Sequence, residues 1–135
     1  MLASNEQFRV RYSETDKMGI VYYSRYFEYF EIGRLSLLRA YGFPYSDMEM
    51  KYNCFLPVSE TYAIYISAAK LENILTISTR VLEKPTVRIR FDYEISNEQA
   101  AILTKGYTVH PFMDGKTGKP GMPPAELMAL FNANF

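Results

Sequence analysis

The stretch Ser24–Pro44, SRYFEYFEIGRLSLLRAYGFP, decides the fold. Phe27, Phe30, Arg34 and Leu38 recur at three or four residues, and so do Tyr26, Phe30, Gly33, Leu37 and Tyr41. That spacing predicts an α-helix from about Ser24, and Gly42 followed by Phe43-Pro44 is a stop signal. The apolar, aromatic face is too broad for a helix lying on a surface, so sheet is expected to wrap it. Gly33 in mid-helix costs about 1 kcal/mol against alanine; close packing of backbone against a strand would explain it.

Outward from this helix the pattern becomes β. Before it, Phe8 to Tyr12 alternates apolar and charged residues, as a short first strand would, and SETDKMG (Ser13–Gly19) reads as a turn. After it, Tyr45 to Tyr52 suits a short second helix. Tyr62, Ile64 and Ile66 then alternate with their neighbours, as do Leu75, Ile77, Thr79 and Val81, with a turn at Lys84-Pro85. The cleanest strand is VRIRFDYEI: Val87, Ile89, Phe91, Tyr93 and Ile95 on one face, Arg88, Arg90, Asp92 and Glu94 on the other. Asn97-Glu98 turns the chain into a last strand, Ala101 to Phe112, followed by the Gly/Pro loop DGKTGKPGMPP and a helix from about Pro124 to Asn132. The order β, long α, four antiparallel β predicts an α+β fold: a five-stranded antiparallel sheet curled around one long central helix, residues 1–135 forming one domain.

Composition excludes several classes. With 48% hydrophobic and 16% aromatic residues the chain is not disordered, and 15 basic against 15 acidic residues leave no excess for general nucleic-acid binding. Cys54 is alone, so no internal disulfide forms, and one cysteine with one histidine does not make a zinc site. MLASNEQ has neither the basic nor the apolar region of a signal peptide, and no apolar run approaches the ~20 residues of a membrane span. A soluble, cytoplasmic protein without metal or cofactor is expected.

Few residues suggest chemistry. DGKTGK resembles the end of a phosphate loop, but His110 stands where its first glycine would be and Pro120 disfavours a following helix. His110 reads as structural or exposed, Glu31 with Arg34 as an intrahelical ion pair, and Glu28 as a wet-face charge. Tyr22, Tyr23, Tyr26, Phe27, Tyr29 and Phe30 read as core and pocket wall, and Arg88 and Arg90 as a polar sheet face.

Asp16 admits two readings. It caps a turn, or it does chemistry just ahead of a helix whose free N–H groups and positive dipole end would stabilise an oxyanion. A carboxylate beside such an end can attack a carbonyl or deprotonate a water. That pair suffices for an activated ester such as a thioester, whose thiolate leaves without a strong general acid.

The residues YSETDKMGIVYYSRYFEYFEIGRLSLLRAYGF (Tyr12–Phe43) resemble the N-terminal signature of hotdog-fold acyl-CoA thioesterases of the 4-hydroxybenzoyl-CoA thioesterase type, nearest the bacterial Tol-Pal-associated branch. The matching positions are Tyr12, Thr15-Asp16, Gly19 to Tyr22, Tyr26-Phe27, and Glu31 with Arg34; a weaker likeness runs through LPVSETYAIYISAAKLENILTI and the later strands. The resemblance implies a hotdog fold, hydrolysis of a small or medium acyl-CoA, dimers joining their sheets edge to edge, and active sites at the subunit interface. It implies Asp16 as the catalytic carboxylate, the Tyr23 backbone N–H as oxyanion donor at the helix start, and Gly19 as the residue admitting close backbone approach. Tyr22, Tyr26, Phe27 and Phe30 would wall the acyl pocket, and Lys84 and Thr86 would meet the nucleotide end of coenzyme A. A homodimer or homotetramer is expected, the latter through the face of Arg88, Arg90, Asp92 and Glu94. The Tol-Pal-associated branch often carries histidine where this chain has Tyr23, and Gly33 replaces its usual alanine. The alternatives are a non-catalytic acyl-CoA-binding or scaffold protein of the same fold, and a hotdog dehydratase, whose chemistry needs a histidine beside a carboxylate.

Overall fold

A computed structural model describes residues 1–135. Its elements are β1 (Leu2–Arg9), α1 (Arg25–Ala40), α2 (Tyr45–Tyr52), β2 (Cys54–Phe55), β3 (Glu60–Tyr65), β4 (Ile74–Val81), β5 (Arg88–Ser96), β6 (Ile102–Pro111), β7 (Met113–Asp114) and α3 (Ala125–Asn134). β1, β4, β5, β6 and β3 form, in that order, a five-stranded sheet whose paired strands are all antiparallel. This is the expected hotdog: α1 lies against the inner face of the sheet and buries Tyr26, Tyr29, Phe30, Gly33, Leu37 and Leu38. Those side chains join Leu75, Ile77, Ile89, Phe91, Tyr93 and Ile95 in one hydrophobic core.

The alternation in β5 is as read, with Ile89, Phe91, Tyr93 and Ile95 buried, although Val87 precedes the strand and is exposed. Gly33 meets the sheet as anticipated. A Cβ there would run into Thr79 Oγ1 and lie 2.9 Å from Ile77 Cδ1, both on β4.

Three elements differ from the expectation. The first strand is Leu2–Arg9 and ends before Tyr12, which opens a 3₁₀ turn, Tyr12–Glu14. Its inward positions include the polar Ser4 and Glu6, which blur the apolar alternation; Glu6 is held by the Ser36 hydroxyl of α1 at 2.8 Å. A small second sheet, β2 with β7, pairs Cys54 with Asp114 and Phe55 with Met113. Strands of two residues are too short to show a period. Finally, Arg34 makes the expected ion pair with Glu31, at 3.9 Å, but is also buried, and its Nε donates to the Tyr45 hydroxyl at 3.3 Å, a tie between α1 and α2 that was not anticipated.

Candidate active site

The segment Thr15–Val21 is a tight hairpin. Thr15 bridges Val21, Asp16 N–H donates to Ile20 O at 2.9 Å, and Gly19 N–H donates to Asp16 O at 3.1 Å. Gly19 has φ +76°, the left-handed position that follows the turn and favours glycine. A Cβ would meet nothing within 4 Å, so backbone conformation, not crowding, accounts for this glycine. The carboxylate of Asp16 closes the turn by accepting the Met18 N–H at 2.8 Å through Oδ1. The turn reading of Asp16 is therefore correct as geometry; it leaves Oδ2 without a protein partner.

The hairpin is docked on both sides. Val21 N–H donates to Ala69 O and Leu71 N–H to Gly19 O, so it runs along the segment leading into β4. Glu14, just before it, is buried: its carboxylate accepts the Arg11 N–H at 2.8 Å and the Tyr29 hydroxyl of α1 at 3.0 Å, and its carbonyl accepts the Tyr22 N–H at 2.9 Å. The next backbone amide, Tyr23 N–H, has no acceptor within the chain and lies at the entry of α1. The carbonyl of Tyr23 accepts the Tyr65 hydroxyl at 3.1 Å.

Asp16 and this helix entry open onto one cavity of about 410 Å³. It is lined by Asp16, Ile20, Val21, Tyr22, Tyr23, Tyr26, Tyr65, Ile66, Ser67 and Ala68, eight of the ten being hydrophobic. Tyr22 and Tyr23 pack together with ring centroids 4.7 Å apart. Tyr26 is buried, its ring edge-on to Tyr65 at 5.1 Å and its hydroxyl accepting the Ala69 N–H. Burial raises the Tyr26 phenol above its ordinary value, so it stays protonated at neutral pH. An apolar cleft with one carboxylate and one unpaired helix-entry amide suits an activated acyl group.

The model of the thioesterase-like superfamily matches residues 10–131. The chain belongs to that superfamily. Among relatives of this thioesterase-like chain, the acyl-CoA thioesterase YbgC of Haemophilus influenzae is 30% identical over 92% of this chain and 90% of its own length. The structure of a DHNA-CoA thioesterase from Staphylococcus aureus superposes with a TM-score of 0.85 at 33% identity, covering 90% of this chain and 81% of that one. A 4-hydroxybenzoyl-CoA thioesterase variant complexed with 4-hydroxybenzoyl-CoA, only 17% identical, shares the fold at a TM-score of 0.85 over 96% of this chain and 99% of its own.

The remaining expected site residues fall elsewhere in this thioesterase-like protomer. Phe30 is fully buried in the core, stacked on Tyr93 at 4.4 Å, and Gly106 lets its ring rest on β6; Phe27 lies beside Phe30 at 6.0 Å. Neither lines the cavity. Lys84 and Thr86 are exposed in the β4–β5 connection. β4, Ile74–Val81, runs between the cavity-lining Ser67 and Ala68 and the connection that carries Lys84 and Thr86, eight residues that span about 26 Å of strand at ~3.3 Å each. His110 is buried away from the cavity, with Nδ1 facing Leu56 O at 3.1 Å and Nε2 facing Thr108 Oγ1 at 2.8 Å. The imidazole a dehydratase would need is thus committed to the core.

Two residues of the site escaped the sequence reading. Glu14 is the buried anchor of the hairpin; its spacing of three from Arg11, with which it makes a reciprocal cap, was the available signal. Tyr65 was read only as a strand position, and its reach to Tyr23 depends on β3 and the start of α1 lying side by side.

Proposed function

We propose that the chain is an acyl-CoA thioesterase, a single domain over residues 1–135, hydrolysing a small or medium acyl-CoA to the free acid and coenzyme A. The observation that carries this reading is the shared cavity of Asp16 and the unpaired Tyr23 N–H. The thioester carbonyl oxygen accepts from Tyr23 N–H, and the helix entry stabilises the negative charge that grows there as the carbonyl carbon becomes tetrahedral. Asp16 Oδ2 either attacks that carbon, forming a mixed anhydride that water then cleaves, or takes a proton from the attacking water. Both routes expel coenzyme A as a thiolate. Tyr22 and Tyr26 wall the acyl group, Phe30 backs that wall from the core with the exposed Phe27 beside it, and Gly19 sets the hairpin that aims Asp16.

The working unit is proposed to be a homodimer or a homotetramer. β3 is an edge strand with unpaired backbone groups, and Tyr62, Ile64 and Tyr65 along it, with Ile66 just after it, are each 44–55% exposed. Such an edge calls for a partner, and a second copy is the natural one. Lys84 and Thr86, which do not line the cavity of their own chain, would then meet the nucleotide end of a coenzyme A bound by a neighbouring copy. No helix is long and apolar enough to cross a membrane, and a cytoplasmic location fits a coenzyme A substrate.

The test is Asp16→Asn, followed by thiol release from a panel of acyl-CoAs. Asparagine keeps an oxygen for the Met18 N–H and removes the charge, so turnover should fall roughly 10²–10⁴-fold with the fold intact. Near-wild-type turnover would reduce Asp16 to its turn role. Binding of acyl-CoA with no thiol release by the wild type would leave a non-catalytic carrier.

A further inference from the structure

We infer that Tyr65 is a positioning residue for the thioester carbonyl, its hydroxyl fixing the peptide that follows the Tyr23 amide. The inference rests on the thioesterase reading above. Tyr23 lies between two peptide planes. The plane before it contains Tyr22 O and Tyr23 N–H, and its oxygen accepts the Arg25 N–H at 2.9 Å. The plane after it contains Tyr23 O and Ser24 N–H, and the Tyr65 hydroxyl at 3.1 Å is the sole partner of that oxygen within the chain. A carbonyl only accepts, so Tyr65 is the donor, and burial raises its phenol above the ordinary value, which keeps the proton in place.

With both planes held, the direction of Tyr23 N–H is set before substrate arrives. Orientation of this kind matters most where charge develops, because a preorganised donor needs no rearrangement in the transition state. Tyr65 is itself held. It comes from β3, paired there with Thr104 of β6, and its ring meets Tyr26 edge-on at 5.1 Å. The edge strand of the sheet thus reaches through one hydroxyl to the helix entry. The hydroxyl touches Tyr23 O and not the reacting atoms, which makes Tyr65 a positioning residue and not a catalytic one.

The experiment uses full-length protein, benzoyl-CoA as probe, and Tyr65→Phe, which keeps the ring against Tyr26 and removes the donor. The expected result is a roughly tenfold fall in kcat with KM unchanged, since the lost alignment is realised in the transition state. Replacement of Tyr65 by 3-fluorotyrosine, which retains an O–H donor, should preserve kcat. A second readout is the ¹³C-labelled carbonyl stretch of bound benzoyl-CoA by infrared difference spectroscopy in slow Asp16→Asn protein. Its shift to lower frequency on binding should shrink when Tyr65→Phe is added. If wild type is active and Tyr65→Phe keeps its kcat, the inference is overturned alone. It is overturned as well if kcat falls while the carbonyl shift is unaltered, or if 3-fluorotyrosine is as impaired as phenylalanine. A wild type that releases no thiol from benzoyl-CoA or aliphatic acyl-CoAs removes the thioesterase reading and this inference together.

Discussion

Glu14 and Tyr29 are joined by a buried hydrogen bond, the Tyr29 hydroxyl donating to Glu14 Oε1 at 3.0 Å. It ties the segment leading into the Asp16 hairpin to the second turn of α1. Burial chiefly, and then the Glu14 charge, raise the Tyr29 phenol far above its ordinary value, so it remains a donor at any physiological pH. Tyr29→Phe should therefore cost about 1.5–3 kcal/mol, the range for a hydrogen bond to a charged group. Urea denaturation at neutral pH measures it, and a midpoint equal to wild type would show that Arg11 alone holds Glu14.

The buried imidazole sets an acid limit on stability. Tyr93 and Thr108 hydroxyls lie 2.6 Å apart, and Thr108 meets His110 Nε2 while Nδ1–H faces Leu56 O. That chain suits the neutral ring. Burial first and the Arg34 charge second push His110 down to about 4. The folded pKa lies below the unfolded value near 6.5, so the unfolded chain binds the proton more readily. The stabilisation is complete above about pH 6.5 and lost as pH falls towards 4, amounting to about 3 kcal/mol from the size of that gap. Urea midpoints from pH 7 to 4 should drop for wild type and drop less for His110→Gln; equal slopes would place the acid sensitivity elsewhere.

The β3 edge predicts an oligomer that can be broken by one charge. Ile64 is 48% exposed on that strand, and Ile64→Lys places a cation where a second copy would pair. Light scattering at micromolar concentration should give a dimer or tetramer for wild type and a shift towards monomer for the variant. A wild-type monomer would refute the assembly, and with it the reach of Lys84 to a neighbour's substrate.

Gly33 and Thr79 make a coupled pair. Thr79 Oγ1 is buried without a hydrogen-bond partner and sits where a Gly33 side chain would go. Gly33→Ala gains about 1 kcal/mol of helix propensity but overpacks the α1–β4 contact, at a cost of about 1–3 kcal/mol, so its net effect should be neutral to destabilising. Adding Thr79→Ala clears the space and removes the unsatisfied hydroxyl. The double variant should then be more stable than the two single effects summed, a coupling readable from a double-mutant cycle. Additivity would mean that the strand simply moves aside.

The central helix, β4 and β5 were legible because their burial follows a simple period: Tyr26, Phe30, Gly33 and Leu37 on one helical face, Ile89, Phe91, Tyr93 and Ile95 on one strand face. β1 was read too late and too short because Ser4 and Glu6 occupy inward positions, Glu6 taking the Ser36 hydroxyl as its partner there. The same limit applies to the site. Asp16, Gly19 and Tyr23 stand next to the central helix in sequence, so the turn and its place at the helix entry could be read together, with the roles proposed for Gly19 and Tyr23 coming from the family resemblance. Tyr65 lies 42 residues beyond Tyr23, and only strand pairing brings it back. Phe30 was read as pocket wall because it stands near the helix start, a position that does not say whether a cavity or a strand covers it; here it stacks on Tyr93 of β5.

The strand register also carries a kinetic consequence. β1 pairs along its whole length with β4, Leu2 opposite Val81 and Arg9 opposite Ile74, although α1, α2, β2 and β3 intervene. Closing such a loop costs chain entropy before any ladder bond repays it. On a chain emerging from the ribosome, β1 comes first and waits for a partner made much later. The Asp16 hairpin, moored to Ala69 and Leu71 just before β4, waits with it. The geometry of the proposed site therefore forms late in folding, and a nascent chain halted before β4 has its carboxylate and its helix but not the mooring that aims one at the other.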